Sequence, residues 1–357
     1  MKKDKNIQIL NRISLLDKLL FTKHLAMMVK SGITLSEAVE AIASQTQSNK
    51  FREVLTKISQ DIKNGNSFSK ALKRHPKVFN QFYIILTEVG EESGTLSESL
   101  EYLAKSIAKE YALNKKIQGA LLYPAIILIA VSLVGAGMSI FVLPQLSNLF
   151  ESLNVELPIT TKILLFFAST MKNYGVFVIA GFVALLLMLR IFIKLPKIRP
   201  RWDSLMLSFP IFGPLLTNKE LTSLCRNLGI MLKSGLPITK ALEVEYIGTS
   251  NLVFKDYIER IEKSVNKGKE IREELDQGNY SRFSPIAIKM IGVGEKTGKL
   301  DEAFLYLGDF FEDEVDNIAK NLSVVLEPFI LLIIGVIVGF VALAIISPIY
   351  ELTGSIK

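Results

Sequence analysis

One stretch of the chain has the residue types of a phosphate-binding loop: Gly294-Glu295-Lys296-Thr297-Gly298-Lys299. Such a loop needs a glycine, four residues, then Gly-Lys-Ser/Thr, because the lysine holds phosphate and the hydroxyl holds the metal ion. Here Leu300 replaces the hydroxyl residue, and Val293 occupies the place of the first glycine. No strand pattern precedes the loop, so nucleotide binding is not expected. Other reactive residues are sparse. Cys225, the one cysteine, excludes an internal disulfide and reads as a small buried apolar residue. His24 and His75 cannot build a metal site without further ligands. The acids Glu312, Asp313, Glu314 and Asp316 admit a cation site, but a solvated helix face is the simpler reading. No nucleophile–base arrangement is recognisable, so no catalytic residue, cofactor or metal is assigned and the chain is not expected to be an enzyme.

The same loop, without its lysines, occurs earlier in the chain. Val89-Gly90-Glu91-Glu92-Ser93-Gly94-Thr95-Leu96 matches Val293-Gly294-Glu295-Lys296-Thr297-Gly298-Lys299-Leu300 at an offset of 204 residues. Beyond it, Leu100, Leu103 and Ile107 match Phe304, Leu307 and Phe311, apolar positions with the spacing of one buried helix face. Pro124 matches Pro328, and Pro144 matches Pro348. Upstream, Met28-Val29-Lys30-Ser31-Gly32-Ile33 matches Met231-Leu232-Lys233-Ser234-Gly235-Leu236 at 203, one residue fewer. This register implies a tandem duplication, roughly residues 20–148 and 223–352. The loop is then structural: Gly90, Gly94, Gly294 and Gly298 make a tight turn between helices, with a hydroxyl cap for the second helix. Glu91 and Glu295 have two open readings, an acid favoured by a helix dipole or a contact with a partner. As an exposed loop acid, Glu295 replaced by Gln should cost no more than about 0.5 kcal/mol.

The elements around these loops are helical. Thr34 with Glu37 and Thr95 with Glu98 fit capping boxes. Asn64-Gly65-Asn66 signals a turn, and Pro237 suits a helix start. No run of strand alternation stands out in residues 1–119. The chain is 49% hydrophobic, high for a soluble protein, and the excess is concentrated. From Ile117 to Phe150 there is no charged side chain, more than the roughly 20 residues that cross a bilayer. Tyr174 to Ile193 carries only Arg190, and residues 328–350 carry none. A proline at 124 predicts a kink or a helix start. Glu327, beside Pro328, lies at a membrane edge, where an acid must be paired or wet; Tyr123 takes its place in the earlier repeat.

The expected architecture is all-α: a polytopic membrane protein with two duplicated cytoplasmic helical bundles and three transmembrane helices. In order these are a basic lead-in (1–19), a first bundle (20–118), a first span (119–142), an extracytoplasmic loop (143–173) and a second span (174–193). A second bundle (194–327), a third span (328–349) and an extracytoplasmic tail (350–357) follow. No secretory signal is expected, because the first apolar segment is interrupted by polar residues. Positive residues stay on the cytoplasmic side. Lys105, Lys109, Lys115 and Lys116 precede the first span, and Lys194, Lys197, Arg199 and Arg201 follow the second. The N-terminus is therefore expected inside and the C-terminus outside, with the unrepeated second span as the return crossing. Residues 1–119 hold 19 Lys+Arg and 12 Asp+Glu, net +7, whereas 194–327 hold 19 and 20, net −1. The basic excess fits either anionic lipid headgroups or a separate partner for each bundle.

The duplicated bundle, the three spans, the Met-Val/Leu-Lys-Ser-Gly repeats, the Gly-Glu-x-x-Gly-x-Leu loops, Tyr123-Pro124 and Glu327-Pro328 together resemble one family. It is the inner-membrane platform protein of type IV pilus and type II secretion systems, including competence pili. The resemblance covers about residues 15–350. It implies a multi-pass scaffold in the cytoplasmic membrane, not an enzyme. Its implied partners are a hexameric cytoplasmic assembly ATPase, pilin or pseudopilin subunits, other inner-membrane assembly proteins, the lipid bilayer and further copies of itself, with no nucleic acid. Gly90, Glu91, Gly94, Gly294, Glu295, Gly298, Pro124, Glu327 and Pro328 are the candidate structural or partner-contact residues. A small-molecule transporter is the alternative. Parallel repeats, few spans and a large cytoplasmic mass count against it, since transporters favour inverted repeats and interrupted helices.

Overall fold

A computed structural model describes residues 13–137, 159–193, 195–210 and 212–355. Among them there is no strand. Five helices, α1 (Leu15–Lys30), α2 (Leu35–Gln45), α3 (Asn49–Lys63), α4 (Phe68–Lys73) and α5 (Gln81–Ser93), lead into the long α6 (Leu96–Gly137). After α7 (Ile159–Ile193) and α8 (Arg199–Ser208) the pattern recurs. Helices α9 (Phe212–Lys233), α10 (Ile238–Gly248), α11 (Leu252–Val265), α12 (Ile271–Gln277) and α13 (Pro285–Thr297) lead into α14 (Leu300–Ser355).

Local chemistry starts most of these helices. Side chains of Ser14, Thr34, Ser48, Ser67 and Asn80 accept N–H groups in the first turns of α1 to α5, as Asn251 and Ser284 do for α11 and α13. Ser14 and Asp17 form a full capping box. At Thr34 the hydroxyl takes the Glu37 N–H but gives its own proton to the Glu37 carboxylate, so only half of the expected box forms. The Thr95 hydroxyl pairs with Ser93 Oγ at 2.7 Å. Pro237 stands at the N-cap of α10. Positive-φ glycines come in matched pairs: Gly32 and Gly235, Gly65 and Gly268, Gly94 and Gly298. The one-residue shift in the repeat falls late in the bundle. Phe68 and Ile271, which open α4 and α12, are 203 apart (271 − 68), whereas the caps Asn80 and Ser284 are 204 apart (284 − 80).

The chain divides into two compact units. One contains the chain up to Lys115 together with Asp203–Asp316, so the helices expected as two separate bundles share one unit. Its core is continuous. Phe21, Leu25, Phe51, Leu55, Phe68, Leu72 and Phe79 join Leu224, Leu228, Phe254, Ile258, Ile271, Leu275 and Phe283, each first-set residue having its second-set equivalent in the same role. Leu100, Leu103, Ile107 and their counterparts Phe304, Leu307 and Phe311 are all buried, as the periodicity predicts.

The other unit contains Lys116–Trp202 and Asn317–Lys357. By length and composition, α6 and α14 are each apolar enough to cross a membrane. Their outward residues Leu122, Ile129, Leu133, Leu332, Val336 and Leu343 are at least 60% exposed, which water would penalise and hydrocarbon would not. Helix α6 does not begin at Pro124; it already runs from Leu96, and α14 likewise runs through Pro328. The local proline cost is outweighed because the helix is nucleated upstream by packing. Helix α7 begins at Ile159, upstream of the apolar run expected from Tyr174, and holds a short apolar stretch at Ala184–Ile193. Residues 1–12 of the lead-in, 138–142 of the first expected span, 143–158 of the following loop with Pro144, and 356–357 lie outside the described residues.

Candidate functional site

The two glycine–glutamate loops have the same geometry. Glu91 reaches back to the start of α4: its carboxylate accepts the N–H of Phe68 at 2.6 Å and of Ser69 at 2.8 Å. The Ser67 hydroxyl accepts the next N–H, of Lys70, at 3.4 Å. Three N–H groups that a helix start leaves without intrahelical partners are thus satisfied. Glu295 does the same for α12, accepting Ile271 N–H at 2.7 Å and Arg272 N–H at 3.1 Å. The N-cap of α12 is Glu270, which makes no side-chain cap bond, so the latch matters more there. Helices of six and seven residues do not persist alone. A carboxylate on their positive end, at hydrogen-bond distance, holds them.

The glycines have separate tasks. A Cβ on Gly90 would lie 2.5 Å from Ser99 Oγ, and one on Gly294 would lie 2.6 Å from the Cβ of Ala303. These two let the start of the following long helix approach. Gly94 and Gly298 have open space around them but φ of +72° and +70°, a left-handed cap that costs a side-chain-bearing residue about 1–2 kcal/mol. Two further polar groups of the second loop are engaged locally. Thr297 donates to Val293 O at 2.8 Å, and Lys299 Nζ lies 3.2 Å from Glu302.

This corrects one expectation. Glu295 is not an exposed loop acid; it is half-buried and holds two backbone donors. Its dipole role was legible as one of two readings, but its partners, 23 and 24 residues upstream, were not. Glu312, expected on a solvated face, also has a partner: it takes the Arg226 guanidinium at 2.6 Å, with Lys109 at 3.4 Å. Arg226 is only 6% exposed. The pairing joins α9, α6 and α14 within one unit, and nothing local in the sequence signals it. No group of three or more His, Cys, Asp or Glu among the described residues is placed to hold a metal ion. Cys225 is fully buried, and burial pushes its thiol well above the usual range. In the other unit, Glu327 and Pro328 are exposed, and Pro124 lies inside α6.

These features define a class: an all-helical protein with membrane-capable helices, in which two sets of short helices are each latched by a loop glutamate. The family model for type II secretion system protein F matches the chain twice, at residues 21–144 and 224–348, and the chain belongs to that family. Each match includes one latch loop; the first takes in all of α6 and the second most of α14. The chain is 32% identical to the type IV pilus assembly protein PilC of Myxococcus xanthus over 96% of its own length and 81% of the relative's. It is 31% identical to PilC of Thermus thermophilus, covering 96% and 84%. It is 26% identical to the type II secretion system protein F of Vibrio cholerae, covering 95% and 83%.

Proposed function

We propose that this protein is the integral-membrane platform of a type IV pilus, type II secretion or competence machine. In this reading it couples a cytoplasmic hexameric assembly ATPase to the insertion of pilin or pseudopilin subunits, and is not itself an enzyme. The observation that carries the reading is the double family match, with the same glutamate latch at the foot of a membrane-capable helix in each. The names of the relatives, pilus assembly and secretion proteins, support it.

The two sets of helices are the products of a tandem duplication and lie in the cytoplasm. Three helices cross the membrane: the apolar parts of α6, α7 and α14. Because both repeats leave the cytoplasm in the same direction, α7 supplies the return crossing. The C-terminus is then extracytoplasmic. Gly90, Glu91, Gly94, Gly294, Glu295 and Gly298 keep the bundles in the shape that partners read, and Pro124, Glu327 and Pro328 mark the entries of the outer spans.

Two measurements test this. Impermeant thiol labelling of single-cysteine variants, on a chain whose Cys225 is replaced, should mark positions 150–170 and those after Tyr350; labelling at position 60 or 260 would sink the topology. The purified chain should co-purify with a hexameric ATPase from the same cell and show no ATP hydrolysis alone. Turnover that persists after contaminating ATPases are removed would overturn the scaffold reading.

A further inference from the structure

Within the first compact unit is a cavity of about 300 Å³, lined from both sets of helices. Glu245, on α10, lines it and is 5% exposed. Its carboxylate accepts Asn227 Nδ2 at 3.2 and 3.5 Å. Burying a carboxylate costs free energy unless an opposite charge meets it. The fold does not demand one: the equivalent residue in the first set, 203 positions earlier (245 − 42), is Ile42, 6% exposed in the core. A second carboxylate, Glu220, lines the same cavity and is also held up by burial.

The charged residues facing the cavity are Lys18 from α1, Glu110 from α6, Lys219, Glu220 and Arg226 from α9, and Glu245 from α10. The Arg226 guanidinium is drawn to Glu312. Two lysines then face three glutamates, which leaves one anion in excess when Glu245 is ionised.

We propose that this cavity binds an alkylammonium or guanidinium group, seated on the Glu245 carboxylate with Asn227 orienting that carboxylate and Glu220 adding to the field. The proton balance follows from burial. Before a cation binds, desolvation lifts the Glu245 carboxyl to about 8, so it is protonated at neutral pH. The arriving cation ionises it, the carboxylate pairs with the cation, and one proton leaves to solvent. The cationic group comes either from a free amine or from a lysine or arginine side chain of a protein partner. This inference goes beyond the platform role and does not depend on it.

The full chain in detergent micelles is titrated calorimetrically with butylammonium and with a blocked peptide containing a single lysine. Saturable binding of butylammonium is expected, tightening about tenfold per pH unit between pH 6 and 7 because one proton is released. Titration in buffers of different ionisation enthalpy should show that proton on the unmodified chain. Glu245→Gln keeps the side chain's size and should weaken binding at least tenfold while the chain still melts cooperatively. Binding of butylammonium alone identifies a free amine; binding of the peptide as well identifies a protein side chain. Absence of saturable binding by both probes overturns the proposal. So does binding without proton release, or unchanged affinity in a folded Glu245→Gln.

Discussion

The two sets of helices are built to one plan but differ inside it. Where the fold needs a residue, the sets agree. Where it does not, they diverge, and the divergence is coupled. In the first set the buried Tyr83 phenol lies 3.1 Å from the buried Thr22 hydroxyl, and burial raises the phenol's pKa. In the second set Ala287 stands at the position of Tyr83 and Cys225 at that of Thr22, both fully buried. Once the phenol is gone, its hydroxyl partner is no longer needed, and an apolar thiol fills the space. Glu245 against Ile42 runs the other way, adding a buried carboxyl group that the plan does not require. Agreement between the sets marks the scaffold, and disagreement marks where each has its own task.

This comparison breaks first at the latches. Glu295→Ala and Glu91→Ala should each destabilise the full chain by about 2–4 kcal/mol, since two part-buried donors lose a charged acceptor. Glu295→Gln, which keeps one acceptor oxygen, should cost about 1–2 kcal/mol, more than an exposed acid would. Thermal melts in detergent check both. A loss under 0.5 kcal/mol in Glu295→Ala would show that the latch is not needed and leave a partner contact as its role. If partners read only the shape it holds, a folded and abundant Glu295→Gln should still support assembly.

Next come the glycines. Gly294→Val should cost about 1–3 kcal/mol through overpacking against Ala303. Gly298→Val should cost about 1–2 kcal/mol through its positive φ alone. Because Gly298 has open space, adding Asn there should cost clearly less than Val, whereas Gly294 should reject both. Equal losses at the two positions for every side chain would remove the distinction drawn between them.

A smaller difference separates the polar and apolar core pairs. Thr22→Val should lose about 1 kcal/mol by leaving the Tyr83 phenol without its partner. Cys225→Val should change stability by less than that. Equal losses would end the argument that the pairs were exchanged together.

The last effect is a slope with pH. The Glu245 carboxyl has its ordinary value near 4.5 when unfolded and about 8 when folded. Between these values the folded state binds more protons than the unfolded one, so stability falls as pH rises from about 4.5 to 8. Relative to the native chain, Glu245→Gln should therefore gain in melting temperature steadily from pH 5 to pH 8. A difference independent of pH would mean that the carboxyl titrates as an exposed acid.

Much of this molecule is legible in the sequence because it is local or periodic. Caps, left-handed glycines and uncharged runs each act within a few residues, so Gly65, Gly94, Pro237 and the apolar stretches after Ile117 and Glu327 announce themselves. The repeat adds register, and register alone placed Leu100 and Phe304 on equivalent buried faces. Tertiary structure decided what depends on distant partners. Glu91 and Glu295 each find their donors more than twenty residues upstream, and Arg226 finds Glu312 in another helix. The continuation of α6 and α14 through their prolines, and the merging of two expected bundles into one core, belong to the same kind. In each case a local preference was weak, and its outcome was settled by packing against segments that no short window of sequence contains.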